Sequence, residues 1–152
     1  MVLFGCDDHT GSLAMGGTTF LSSYSDGTLK LWDAATGKLI RKIKRFGACR
    51  SMAKIDETRI VTRSNKLCRV YDVESEYCVK EIKHLSDVRC VAVSPDGTYF
   101  LTGCWDGIVR KWNSATYEKI GEYEGVQCDI IAFLDDERFL SSRYKKGRNK
   151  TL

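Results

Sequence analysis

Residues 84–113 read HLSDVRCVAVSPDGTYFLTGCWDGIVRKWN, and this stretch decides the fold. It holds three runs rich in Val, Ile, Phe, Tyr and Thr, at about 88–93, 99–104 and 108–113. β-branched and aromatic residues in runs of five or six favour strands over helices. Between the first two runs stands Ser94-Pro95-Asp96-Gly97, a tight-turn sequence in which Pro presets one φ and Gly relieves a strained one. Between the second and third, Asp106-Gly107 is a two-residue hairpin signal. A further run at about 118–123 makes a set of four strands.

The pattern recurs outward from there. SSYSDGTLKLWD ends at Asp33, TRSNKLCRVYD at Asp72 and TGCWDGIVRKWN at Asn113. Their aromatic anchors, Trp32, Tyr71 and Trp112, are spaced 39 and 41 residues apart. The upstream runs Phe20-Leu21-Ser22, Ile60-Val61-Thr62, Phe100-Leu101-Thr102 and Phe139-Leu140-Ser141 place their hydroxyls 40, 40 and 39 apart. Turn residues precede each run, at Gly16-Gly17, Asp56, Pro95-Asp96-Gly97 and Asp135-Asp136. Evenly spaced short strands with turn signals mean a sandwich, a barrel or a propeller. A period of about forty residues selects the propeller, since each period is one four-stranded blade.

On these residues the chain resembles the WD-repeat β-propeller family. The third repeat carries His84, Val88–Gly97, Trp105-Asp106-Gly107 and Lys111-Trp112-Asn113. The first has Asp26-Gly27 and Leu31-Trp32-Asp33, and the second a degenerate Asn65-Lys66 and Val70-Tyr71-Asp72. The resemblance covers about residues 11 to 150. It implies an all-β fold of about four blades, the last incomplete, within a single WD-repeat domain over 1–152. The blades are expected at about 12–44, 51–83, 88–123 and an incomplete 128–152. The tryptophan slot of the fourth repeat falls at Thr151 or Leu152. Val2-Leu3-Phe4 offers a strand that could close a tight four-bladed ring. An open arc is the favoured reading, because the fourth blade lacks a Trp anchor and ends in a run of cations.

The resemblance also implies a structural relay from His through Ser/Thr and Asp to Trp. It carries over to His84, Thr102, Asp106 and Trp112, with Asp106 accepting from the indole. In the first repeat it carries over to Ser22, Asp26 and Trp32, with His9 as a candidate fourth member. A buried indole N–H needs an acceptor and a buried carboxylate needs donors, so the relay is physically sound without the name. His84, Thr102 and Asp106 are also the residue types of a hydrolytic triad, but a triad is defined by geometry and the relay is the preferred reading. No enzyme activity and no cofactor are expected. Trp105 lies on the turn before Asp106, where the family presents side chains to partners. It reads equally as a partner anchor or as packing against the neighbouring blade's loops. Ser25 and Ser64 hold the equivalent positions and would add hydrogen bonds.

Composition narrows the rest. Hydrophobic residues are 43% and charged residues 29% of 152, which suits a soluble domain with a real core. The net charge is +4, yet Arg143, Lys145, Lys146, Arg148 and Lys150 carry +5 with no acid among residues 143–152. The body is therefore at −1, which is not a nucleic-acid-binding face. The basic stretch reads as a solvated end, with contact to an acidic partner or nucleic acid as the alternative. Seven cysteines stand singly, and the start MVLFGCDD has no basic region ahead of Asp7, so reduced thiols and a cytoplasmic or nuclear location are expected. Cys6 and His9 are spaced like metal ligands, but no second pair follows, and a polar turn is the better reading. Asn149-Lys150-Thr151 matches a glycosylation acceptor by accident. No apolar run is long enough to span a bilayer, so no membrane partner is expected. The function expected is a non-catalytic protein–protein scaffold that docks partners on its loop rims. The alternatives are a partial propeller that completes a ring with another chain, by self-association or with a second propeller fragment, and a nucleic-acid contact through the basic stretch.

Overall fold

Strands form wherever the apolar and β-branched runs fall, and turns wherever Gly, Asp, Asn and Pro punctuate them. The structure, a computed structural model, describes residues 9–44, 47, 49–125 and 128–142. The first sheet holds β1 (His9–Gly16), β2 (Thr19–Tyr24), β3 (Leu29–Asp33) and β4 (Leu39–Ile43). The second holds β5 (Ser51–Lys54), β6 (Arg59–Ser64), β7 (Leu67–Asp72) and β8 (Tyr77–Lys83). The third holds β9 (Val88–Val93), β10 (Tyr99–Cys104), β11 (Val109–Asn113) and β12 (Lys119–Tyr123), and β13 (Ile130–Phe133) pairs with β14 (Phe139–Ser142) in the fourth. Each sheet is an antiparallel meander in chain order, which is the connectivity of a propeller blade.

The blades stand side by side through their first strands: β1 against β5, β5 against β9, and β9 against β13. Among the described residues the series makes no comparable return from β13 to β1, so the arc is open. Val2-Leu3-Phe4 and residues 143–152 lie outside the described residues. The core divides into three clusters, one for each junction between blades. Leu21, Leu29 and Ile43 meet Met52, Ile60 and Tyr71 at the first junction. Val61, Cys68 and Val70 meet Val91, Phe100 and Cys104 at the second. Tyr99, Leu101 and Val109 meet Cys128, Ile131 and Phe133 at the third. Among the described residues the far face of the half blade has no such cover: Leu140 is 58% exposed, whereas its counterpart one blade back, Leu101, is 0% exposed.

Each aromatic anchor marks an irregularity. The pairing of third and fourth strands shifts register after Leu31, Val70 and Lys111, immediately at Trp32, Tyr71 and Trp112. A bulge there increases local twist, which suits the outer half of a blade. The hairpin turns differ from the two-residue form expected for Asp26-Gly27 and Asp106-Gly107. Tyr24 pairs with Thr28 and Cys104 with Ile108, so each loop has three residues and ends on a glycine, with φ of 79° at Gly27 and 80° at Gly107. The type I turn followed by a left-handed residue explains this, and Gly fills that last position. The two-residue turn is Asn65-Lys66, between paired Ser64 and Leu67, with Asn65 at φ 48°.

Candidate protein-docking rim

Thr102 is the hub of the third blade's polar interior. It sits in β10, every residue of which is buried. The Trp112 indole N–H donates to Thr102 Oγ1 at 2.9 Å, and His84 Nε2 lies 3.0 Å from the same oxygen. His84 Nδ1 lies 3.3 Å from the Ile82 carbonyl, which can only accept. Nδ1 therefore carries the proton, Nε2 accepts from the Thr102 hydroxyl, and the three side chains form one directed series on a neutral imidazole. The His84 ring also meets the Trp112 ring edge-on, with centroids 5.6 Å apart.

Asp106 is not the indole acceptor, and that expectation is corrected here. Its Oδ1 accepts from the Ile108 N–H at 3.1 Å, and its Oδ2 accepts from Arg110 Nη2 at 2.9 Å. A hydroxyl in mid-strand reaches the indole on the neighbouring strand, whereas the turn aspartate is spent on its own hairpin. Partial burial raises the Asp106 pKa, but the Arg110 bond and the Ile108 N–H outweigh it and hold the carboxyl below its usual range. In the first blade the Trp32 indole likewise donates to Ser22 Oγ at 2.8 Å, and Ser22 Oγ donates to Tyr24 Oη at 3.3 Å. Tyr24 occupies the side of Ser22 where a histidine was expected. Asp26 Oδ1 accepts from the Thr28 N–H, as Asp106 does from Ile108. The His9 side chain lies outside the described residues, as does Cys6.

The neutral His84 makes the fold sensitive to acid. Burial pushes its pKa below the ordinary imidazole value. A native pKa below the unfolded one, about 6.5, means that the unfolded chain binds the extra proton. The stability contributed is complete above about pH 6.5 and is lost as pH falls from there toward the native pKa. The unfolding midpoint in urea should therefore drop between pH 7.5 and pH 5, and His84→Leu should flatten that slope. The same slope in the variant would remove His84 from the account.

Trp105 stands outside this interior. It is 60% exposed on the turn between β10 and β11, and its backbone N–H donates to the Asp87 carbonyl at 2.8 Å. The Arg89 guanidinium lies over its ring, 5.1 Å from the centroid. Lys66, Leu85, Ser86, Asp87, Arg89 and Trp105 line an open groove of about 420 Å³ between the second and third blades. Leu85 is 91% exposed beside Trp105, so two large apolar side chains face outward. Ser25 is exposed on the first blade's turn, and Ser64 is half-buried at the end of β6, and neither lines the groove. Leu85, Lys66 and Arg89 carry no motif of their own and were not legible as a group, because folding alone brings 66, 85–89 and 105 together. Arg89 also pairs with Asp129 at 3.0 Å, which ties the rim to the half blade. Behind it Arg63 donates to the Val88 carbonyl at 3.1 Å. Burial and the neighbouring Arg89 and Arg50 cations push the Arg63 pKa down. The groove lining thus carries Lys66 and Arg89 as cations and Asp87 as an acid, with Arg89 paired to Asp129. The basic stretch 143–150 lies outside the described residues.

Antiparallel four-stranded blades joined at their inner strands, with loops gathered on a rim, define a protein of propeller blades. The repeat described as "WD domain, G-beta repeat" matches residues 3–33 and 76–113. The chain is similar to myosin heavy chain kinase C of Dictyostelium discoideum, 28% identical over 68% of this chain and 14% of that protein. It is 30% identical to the DENN domain and WD repeat-containing protein SCD1 of Arabidopsis thaliana, over 71% of this chain and 9% of that protein. It is 36% identical to apoptotic protease-activating factor 1 of Rattus norvegicus, over 61% of this chain and 8% of that protein. The chain thus spans a small part of the length of these relatives. The two repeat matches fall mainly on the first and third blades, which carry the WD repeat. Such repeats serve in general as protein-interaction modules. Among the described residues no helix is long and apolar enough to cross a membrane.

Proposed function

We propose that residues 1–152 form one WD-repeat domain that acts as a non-catalytic, intracellular scaffold, docking a partner protein in the groove around Trp105. The observation that carries this reading is the paired exposure of Trp105 and Leu85 on a rim held by backbone bonds and an ion pair. Exposed aromatic anchors beside apolar neighbours supply most of the binding energy at protein interfaces. Lys66 and Arg89 of the lining are offset by Asp87 and by Asp129, so the apolar pair rather than net charge marks the groove for an apolar side chain of the partner. Catalysis is disfavoured by the same interior that holds the blade together: Thr102 is fully buried and its hydroxyl is committed to His84 and Trp112. Trp105→Ala should weaken partner capture by about tenfold or more while circular dichroism stays unchanged. Capture that survives with a lower melting point would assign Trp105 to packing instead.

A second reading is favoured by the exposed face of the half blade. Ile130, Leu134 and Leu140 are all more than half exposed there, and soluble proteins cover such faces. A second arc that continues the propeller, from another copy or another chain, would cover them as β9 and β10 are covered by β13.

A further inference from the structure

Two cysteines face each other across the junction between the third blade and the half blade. Cys90 Sγ lies 3.3 Å from Cys128 Sγ. Both are buried, Cys90 in β9 and Cys128 just ahead of β13. Cys90 Sγ also approaches the Cys128 carbonyl, at 3.7 Å, and Cys128 Sγ lies 3.2 Å from the Ile130 carbonyl. Gly103 of β10 leaves the space they occupy: a methyl group there would stand 2.6 Å from Cys90 Sγ and 3.0 Å from Cys128 Sγ. The backbone of Gly103 is extended, so no turn requires glycine at this position; the room for the sulfurs does.

We infer that Cys90 and Cys128 form a redox-active dithiol that hydroperoxides convert into a disulfide, fastening the half blade to the third blade. A disulfide needs the sulfurs at about 2.05 Å, so closure asks for roughly an ångström of side-chain movement. Among the described residues the fourth sheet has two strands and exposed side chains on its far face, which lets its base yield by that amount and admit a small oxidant.

The chemistry divides between the two residues. The 3.3 Å contact lets either thiol donate to the other, so either sulfur can open the reaction and the second resolves it. With Cys128 first, its thiolate attacks one peroxide oxygen, the O–O bond breaks, and the sulfenic acid of Cys128 forms with release of hydroxide, which takes a proton to become water. The Cys90 sulfur then attacks the Cys128 sulfur and the S–O bond breaks. The Cys90 proton leaves with the departing hydroxide as a second water. Two thiols lose two electrons and one peroxide is reduced to two waters. Burial pushes Cys68, Cys104 and Cys49 up, as the Cys128 contact and burial do Cys90.

The test uses the native chain. Treatment with a slight excess of hydrogen peroxide, alkylation, and tryptic digestion without reductant should join peptide 90–110 to peptide 120–138. Fragmentation should place the link on Cys90 rather than on Cys104. The link should form about tenfold faster than any other cysteine pair joins, and faster in the native than in the urea-unfolded chain. The oxidised protein should melt about 5 °C higher, a gain that dithiothreitol reverses. Cys128→Ser should abolish both the link and the gain; because the native chain is also read directly, a variant that fails to fold leaves the proposal testable. A folded chain in which Cys90 and Cys128 stay reduced while other thiols oxidise, or a link that forms no faster in the native than in the unfolded state, overturns the assignment and leaves the pair as close-packed thiols.

Discussion

Replacing Thr102 with valine should lower the stability of the chain by roughly 2–5 kcal/mol, because a buried imidazole and a half-buried indole lose their partner at once. Valine keeps the shape of the side chain and removes only the hydroxyl. The Trp112 indole N–H then has no acceptor and His84 Nε2 no donor, beside a strand that is buried throughout. Urea denaturation followed by Trp fluorescence reads the loss, and Thr102→Ser should recover most of it. The equivalent change in the first blade, Ser22→Ala, should cost less, since Ser22 bridges Trp32 to a tyrosine hydroxyl rather than to an imidazole. A Thr102→Val midpoint within error of wild type would mean that the hydroxyl is incidental. Asp106→Ala tests something else, the Arg110 ion pair and the turn, because its carboxylate does not reach the indole.

The second large effect separates two leucines that hold the same place in consecutive repeats. Leu101→Ala should cost about 2–5 kcal/mol, the usual result of emptying a filled core site. Leu140→Ala should stay within about 0.5 kcal/mol, because Leu140 is 58% exposed and its removal opens no cavity. Light scattering on the same samples completes the comparison. If Leu140→Ala proves as costly as Leu101→Ala, and only at concentrations where the wild type is larger than a monomer, the face is covered in solution by a second copy. A monomer at every concentration with a cooperative melt removes self-association as the way the face is covered.

The forty-residue spacing was legible because the first and third repeats need the same few things from their sequence: an aromatic where the outer pair of strands shifts register, a hydroxyl to meet it, and a glycine where φ turns positive. Trp32, Trp112, Ser22 and Thr102 could be aligned from the chain alone. Their partners could not. Arg110 takes Asp106 across a hairpin whose length only the folded backbone shows, and Tyr24 stands where a histidine was sought. A periodic signal reports what repeats share, and each of these is a departure of one repeat from the others. The groove was harder still. Lys66, Leu85 and Trp105 come from two blades, and no spacing rule joins residues whose nearness depends on how one blade is set against the next.

The three separate core clusters have a thermodynamic consequence. Each is shared by two neighbouring blades and by no third. Cohesion in such a chain is a sum of nearest-neighbour couplings, as in a one-dimensional lattice. Damage at one junction falls on the two units that share it and leaves the distant junction at full strength. Among the described residues the fourth sheet has two strands and one coupled neighbour, so its strands should be the first to open. Amide protection should rise inward from β14 across β10 toward the middle of the array. Units can be gained or lost at such an end without repacking the interior of the others, because no residue there is committed to more than one neighbour.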